Sequence, residues 1–154
     1  HNILHRDLKP DNILMNSQGT LKLVDFGTYL NLSGKSRNNE EGTTAAQWGN
    51  HLVGTPEYMA PEVVVGGPVS DKADIWSFGC TMMHLATGRR PWHEIDNEWA
   101  IIYSLGMGKG LPAIHERELL DRRLLAFIMR CLCRDFSKRP SARELLADTF
   151  LKLT

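Results

Sequence analysis

The chain has 154 residues, and its 18 Lys plus Arg are balanced by 18 Asp plus Glu, so the formal net charge is zero. That balance excludes the basic footprint of a nucleic-acid binder and gives no pull toward an anionic membrane. With 42% hydrophobic and 23% charged residues, wholesale disorder is excluded as well, and the length predicts one domain with a core large enough to stand without staples.

In chain order, Asn2-Ile3-Leu4 leads into a polar loop from His5 to Asp11. Two short apolar runs follow, Ile13-Leu14-Met15 and Leu21-Lys22-Leu23-Val24, separated by the turn signal Asn16-Ser17-Gln18-Gly19. This pattern predicts a β-hairpin. The stretch from Asn31 to Asn50 is polar and has no period, which predicts a mobile loop. Residues 71–87 are apolar on almost every side, so they predict a helix in the middle of the domain, stopped by Gly88 and Pro91. A short helix through Trp99, Ile102 and Tyr103 is expected next, capped by Asp96 and ended by Gly106. Leu120, Leu124, Phe127, Ile128 and Cys131 recur on one helical face. Ser141 and Glu144 form a capping-box pattern that opens a last helix with Leu145, Leu146 and Phe150. The fold class expected is mainly α with a small β-hairpin.

The three cysteines, Cys80, Cys131 and Cys133, make no even disulfide framework and no C-x-x-C pair. Buried, reduced thiols in a reducing intracellular compartment are expected. The six histidines lack zinc-ligand spacing, and no apolar run reaches the roughly 18 residues of a membrane span. The chain starts at His1 with no signal-peptide pattern, so it is expected to be cut from something longer.

Three segments carry chemistry: His5-Arg6-Asp7-Leu8-Lys9-Pro10-Asp11-Asn12, Asp25-Phe26-Gly27 and Ala60-Pro61-Glu62. In that order, with a hairpin between the first two, they resemble the signature of eukaryotic protein kinases. The resemblance covers the C-terminal (large) lobe of that fold, with the N-terminal lobe absent. It implies a catalytic loop at 5–12, an activation segment at 25–62 and a helical subdomain at 63–154. It further implies ATP and Mg²⁺ as cofactors. Asp7 would orient the acceptor hydroxyl and take its proton, and Lys9 would reach the transferring phosphate. Asn12 and Asp25 would offer hard oxygens to Mg²⁺, carried on opposite ends of a rigid pair of strands. Lys9 together with Thr55 matches serine/threonine rather than tyrosine kinases, with Thr55 positioning the substrate. Glu62 and Arg139 match a buried ion pair, and Asp74 matches a residue that anchors the His5-Arg6 backbone.

The same resemblance assigns Arg6 to a phosphate on the activation segment, with Ser33, Ser36, Thr43 and Thr44 as candidate acceptors for an upstream activating kinase or for autophosphorylation. The Ala73–Thr81 and Ala86-Thr87-Gly88 stretches look like the MAP kinase kinase kinase group, so a protein substrate, such as a downstream kinase, is expected; the reduced cysteines and the lack of a membrane span favour a cytoplasmic location, the nucleus being left open. At His84 many kinases carry a glutamate that helps bind basic substrate residues; its absence argues against arginine-rich target sites. No glycine-rich phosphate loop and no V-A-I-K-type lysine occur in these 154 residues. The chain alone is therefore expected to be inactive, since both sides of the cleft are needed for electrostatic preorganisation. Two other classes remain open: a non-catalytic pseudokinase-like or scaffolding module, and a phosphotransferase acting on small molecules.

Overall fold

The computed structural model describes residues 3–32, 52–108, 110–114 and 120–152. The predicted hairpin is present as β2 (Ile13–Met15) and β3 (Leu21–Leu23), antiparallel, with Ile13 opposite Leu23. Its turn is built by Asn16, whose Oδ1 accepts from Gln18 N at 3.0 Å and Thr20 N at 2.8 Å. Gly19 takes the left-handed position at φ 78°, which favours glycine because it carries no Cβ.

A second two-stranded sheet joins β1 (Ile3–Leu4) to β4 (Leu30–Asn31). Two-residue strands have no alternation to read, so the sequence did not announce this pairing. Asn31 therefore belongs to a strand rather than to the polar loop expected from 31 to 50. Most of that loop, with Ser33, Ser36, Thr43 and Thr44, lies outside the described residues.

The helices are α1 (Pro61–Val64), α2 (Lys72–Thr87), α3 (Glu98–Gly106), α4 (Arg122–Cys131) and α5 (Ala142–Leu146). Helix α2 is the central one. Ala73, Ile75, Trp76, Ser77, Gly79, Cys80, Thr81 and Met83 are all buried on it, covering every side. Its buried hydroxyls are satisfied: Ser77 Oγ donates to Tyr58 O at 2.7 Å and Thr81 Oγ1 to Ser77 O at 2.8 Å. Gly88, at φ 70°, ends the helix as expected, its amide donating to His84 O at 2.8 Å.

Three boundaries differ from expectation. Helix α3 is capped by Asn97, not Asp96, because Asn97 Oδ1 accepts from Trp99 N at 2.8 Å. The helix begins at Glu98, so Asn97 holds the cap position and Asp96 stands one residue before it. Leu120 precedes α4, whose cap Asp121 accepts from Arg123 N and Leu124 N. The capping box of Ser141 and Glu144 is present, but α5 stops at Leu146. Phe150 sits instead in a separate 3₁₀ turn, Thr149–Leu151, and packs on Phe127 with ring centres 5.0 Å apart. Leu145 is buried while Leu146 is 75% exposed.

Helix α4 lies against α2 at its glycine. A Cβ on Gly79 would stand 2.7 Å from Cys131 Cβ and 3.1 Å from Leu132 Cδ2. Gly79→Ala gains up to about 1 kcal/mol of helix propensity but overpacks the contact at a cost of about 1–3 kcal/mol. The expected net result is a melting midpoint several degrees lower, at about 2–4 °C per kcal/mol. An unchanged midpoint in a thermal melt would mean the two helices separate without strain.

All three thiols are free. Burial pushes the Cys80 thiol up strongly and the Cys131 thiol up to about 12, so neither is a nucleophile near neutral pH.

Candidate active site

The loop His5–Asn12 is held from three directions. From below, Asp74 of α2 accepts both of its leading amides, His5 N at 2.7 Å on Oδ2 and Arg6 N at 3.0 Å on Oδ1. Burial raises the Asp74 carboxyl, and those two bonds work against the rise. Asp74 is half-buried rather than fully buried, and its described hydrogen-bond donors are backbone amides. From the side, His5 Nε2 contacts Val24 O at 2.8 Å, and its ring meets Phe26 edge-on with centres 4.8 Å apart. Thr28 closes the third side, donating its hydroxyl to His5 O at 2.8 Å and accepting Arg6 Nε on its carbonyl.

Within this frame two non-glycine residues adopt left-handed backbone, Arg6 at φ 67° and Asp25 at φ 59°. Such conformations cost on the order of 1–3 kcal/mol each and persist only where the surroundings over-determine them. For Arg6 the determinants are its amide on Asp74 and its guanidinium on Thr28. For Asp25 one is its own side chain, which accepts from Gly27 N at 3.3 Å and caps the 3₁₀ turn Phe26–Thr28.

The Asp7 carboxylate is the hub. Its Oδ1 accepts from Thr55 N at 3.0 Å and Thr55 Oγ1 at 2.6 Å. Its Oδ2 accepts from Asn12 Nδ2 at 3.1 Å and pairs with Lys9 Nζ at 3.0 Å. Lys9 Nζ also donates to Thr55 Oγ1 at 2.6 Å, and Asn12 Nδ2 to Asp7 O at 2.8 Å. Burial works to raise the Asp7 carboxyl. Hydrogen bonds from Thr55, Lys9 and Asn12, with the Lys9 charge, outweigh it and hold the group below its ordinary value.

Thr55 reaches this hub because Gly54 lets the chain pass close to the loop. At φ +115°, a Cβ on Gly54 would fall 2.4 Å from Arg6 O, so a side chain there is barred by backbone and not merely by crowding.

Of the residues singled out from sequence, Asp7, Lys9, Asn12 and Thr55 are thus joined by direct hydrogen bonds. Asp25 is exposed and its side chain bonds Gly27 N rather than any of these four, but its neighbour Val24 donates its amide to Asn12 O at 3.0 Å. Asn12 and Asp25 therefore stand at the same, open end of the hairpin, on its two strands, not at opposite ends as expected. The antiparallel register makes this necessary: residues flanking Ile13 and Leu23 must lie side by side.

The donor chemistry at this end suits a hard cation. Asn12 uses its amide nitrogen on Asp7, which leaves its oxygen as the free face of the amide, and the exposed Asp25 carboxylate adds a second hard oxygen. Among the described residues no group of three or more His, Cys, Asp or Glu side chains is placed to hold a metal. A site of one carboxylate and one amide fits Mg²⁺ brought with phosphates and water better than a protein-only cage.

Glu62 and Arg139 meet far from this hub, with Arg139 Nη1 on Glu62 Oε1 at 2.6 Å and Nη2 on Oε2 at 2.9 Å. Sequence reasoning passed over Thr28 and gave Gly54 no role of its own. Thr28 directly follows Asp25-Phe26-Gly27, yet nothing in its spacing marks a hydroxyl that braces a distant loop. Gly54 could have been suspected, being a glycine immediately before a Thr-Pro turn.

Comparison with known proteins gives a match to the family model described as protein kinase domain, over residues 1–151. Serine/threonine-protein kinase SSK22 of Saccharomyces cerevisiae is 39% identical over 97% of this chain and 12% of its own length. MAP kinase kinase kinase wis4 of Schizosaccharomyces pombe is 40% identical over 97% of the chain and 11% of its own. Human mitogen-activated protein kinase kinase kinase 5 is 41% identical over 99% of the chain and 10% of its own. The chain thus spans about a tenth of the length of these relatives.

Proposed function

The chain belongs to the protein kinase domain family, and from that premise we propose that the protein carrying it transfers the γ-phosphate of ATP to serine or threonine hydroxyls of protein substrates. The relatives are named as MAP kinase kinase kinases, so the substrate proposed is a downstream kinase within an intracellular cascade. Residues 5–12 act as catalytic loop, 25–62 as activation segment and 63–154 as the helical support, in a cytoplasmic protein. Among the described residues no helix is long and apolar enough to cross a membrane.

One observation carries this reading: the Asp7 carboxylate is held by Thr55, Lys9 and Asn12 at hydrogen-bond distance. In phosphoryl transfer there is little covalent work for the protein to do, so positioning and charge dominate. Asp7 fixes the direction of the acceptor hydroxyl. Lys9, 22% exposed, has a cation to offer the transferring phosphate. Asn12 and Asp25 would hold Mg²⁺, which when bound neutralises charge on the phosphates. Leu14, 55% exposed in the middle of β2, offers an apolar surface on which a purine could lie. Arg6 would meet a phosphate within 33–44, ordering the segment between Asp25 and Glu62.

The test is phosphate transfer from radiolabelled ATP with Mg²⁺ by the natural protein, followed by identification of the modified residue. Phosphoserine or phosphothreonine is expected, with the isolated 154-residue chain silent. Phosphotyrosine alone, or nucleotide binding without transfer, would overturn the proposal, the latter in favour of a scaffolding role.

A further inference from the structure

A groove of about 450 Å³ opens between the start of α2, the end of α4 and the first turn of α5. A water's share of volume is roughly 30 Å³, so the groove suits a length of chain rather than a lone ion. Among the described residues its lining holds four cations, Lys72, Arg130, Lys138 and Arg139, and one carboxylate, Glu144. Asp148 pairs with Arg130, Asp135 with Lys138 and Glu62 with Arg139, and none of these three acids is part of the lining. Each pair therefore turns its positive end toward the groove. Arg139 is buried and Lys72 is fixed by donating to Arg139 O at 2.7 Å, whereas Lys138 is 78% exposed and free to swing toward a bound chain.

The groove already takes one carboxylate. Glu144 Oε2 accepts from Ser141 N and Ser141 Oγ, each at 2.7 Å, and stands 3.9 Å from Lys72 Nζ. The Ser141 bonds hold this carboxyl below its ordinary value, and the charges of Lys72 and Arg130 add to the lowering. Two cations from different helices thus act on the same anionic oxygen. Met129 and Pro140 add apolar lining between the charges. We infer that this groove docks an extended acidic segment of a partner protein, its carboxylates meeting Lys72, Arg130 and Lys138 and its intervening side chains lying on Met129 and Pro140. The sign of the lining turns away basic segments, because complementary charge selects the partner. Each exposed pair shifts an equilibrium by about 1.5- to 5-fold, so affinity rests on several acting together and falls with salt. The docking surface stands apart from the Asp7 hub and does not depend on the kinase reading.

The test follows the fluorescence anisotropy of a short labelled peptide of alternating Glu and Ala added to the natural protein, beside a Gln and Ala counterpart. Binding of the Glu peptide alone is expected. Lys138→Glu weakens it by about fivefold or more, and Glu144→Gln tightens it by about two- to fivefold. Glutamine keeps the capping box with Ser141 and removes only the competing charge. Cys133 lines the same groove and is only partly buried, so its alkylation, mapped by mass spectrometry, slows when the peptide is bound. No binding of the Glu peptide, equal binding of the Gln peptide, unchanged binding by Lys138→Glu, or alkylation of Cys133 untouched by the peptide overturns the inference. Displacement of the peptide by an equal concentration of inorganic phosphate assigns the groove to small anions and overturns it as well.

Discussion

Asp7→Asn in the natural protein is expected to lower kcat by about 10²–10⁴-fold, with a change in stability of no more than about 1–3 kcal/mol. The reason lies in how completely the carboxylate is used. An ionised carboxylate offers about four acceptor positions, and here Thr55 N, Thr55 Oγ1, Asn12 Nδ2 and Lys9 Nζ all approach it. An incoming hydroxyl must take over one of these positions, and a carboxylate keeps a strong acceptor whichever donor yields. An asparagine at this place would turn an NH₂ toward either Thr55 or Asn12 and Lys9, donor against donor. Both substrate orientation and Lys9 placement would then fail together. The partners hold the Asp7 carboxyl low, which makes it a weak base, so in the proposed transfer its main effect would be on direction.

The same lowering fixes the sign of the pH response. A carboxyl lowered in the folded state contributes stability that is fully present above its unfolded value of about 3.9. That contribution is lost only as pH falls through the folded value. The Asp7 hub is therefore intact throughout the mildly acidic range. Measurement of kcat and of the melting midpoint for both forms from neutral pH downward checks this. Near-equal kcat values would refute Asp7 as the orienting group.

Much of this arrangement was legible because it depends on local grammar. Asn16 and Gly19 announce a turn whatever surrounds them, and Ser141 with Glu144 announces a helix start. The apolar run of α2 announces a central helix. What was not legible depends on three-dimensional neighbours. Which residues of β2 and β3 face one another is decided by strand register, which two three-residue strands specify only once they pair. The β1–β4 pairing, the brace from Thr28 and the reach of Arg90 to Glu57 each join residues far apart in order. Asp96 and Asn97 are both good caps, and the choice between them follows from where the following helix packs.

The largest expected loss of stability comes from Arg139, a position that surface statistics alone would have left in solvent. It is 1% exposed, and Glu62 is 6% exposed. Its guanidinium donates to Glu62 at 2.6 and 2.9 Å, to Lys72 O at 2.6 Å and to Cys133 O at 2.9 Å, with its carbon 5.2 Å over the Trp76 ring. Lys72 Nζ returns the contact by donating to Arg139 O at 2.7 Å. One side chain thus ties α1, the start of α2 and the segment before α5. Arg139→Met leaves the Glu62 charge buried and alone, at about 3–5 kcal/mol, against a total stability of about 5–15 kcal/mol for a domain. The double variant Glu62→Leu with Arg139→Met removes the stranded charge and should recover part of that loss. It should not recover all of it, because the Lys72 and Cys133 carbonyls each lose a donor. Urea unfolding of the natural protein and its variants gives the comparison. If the double variant is destabilised by the sum of the single ones, the pair is not coupled, and Arg139 acts by packing on Trp76 and by its carbonyl bonds alone.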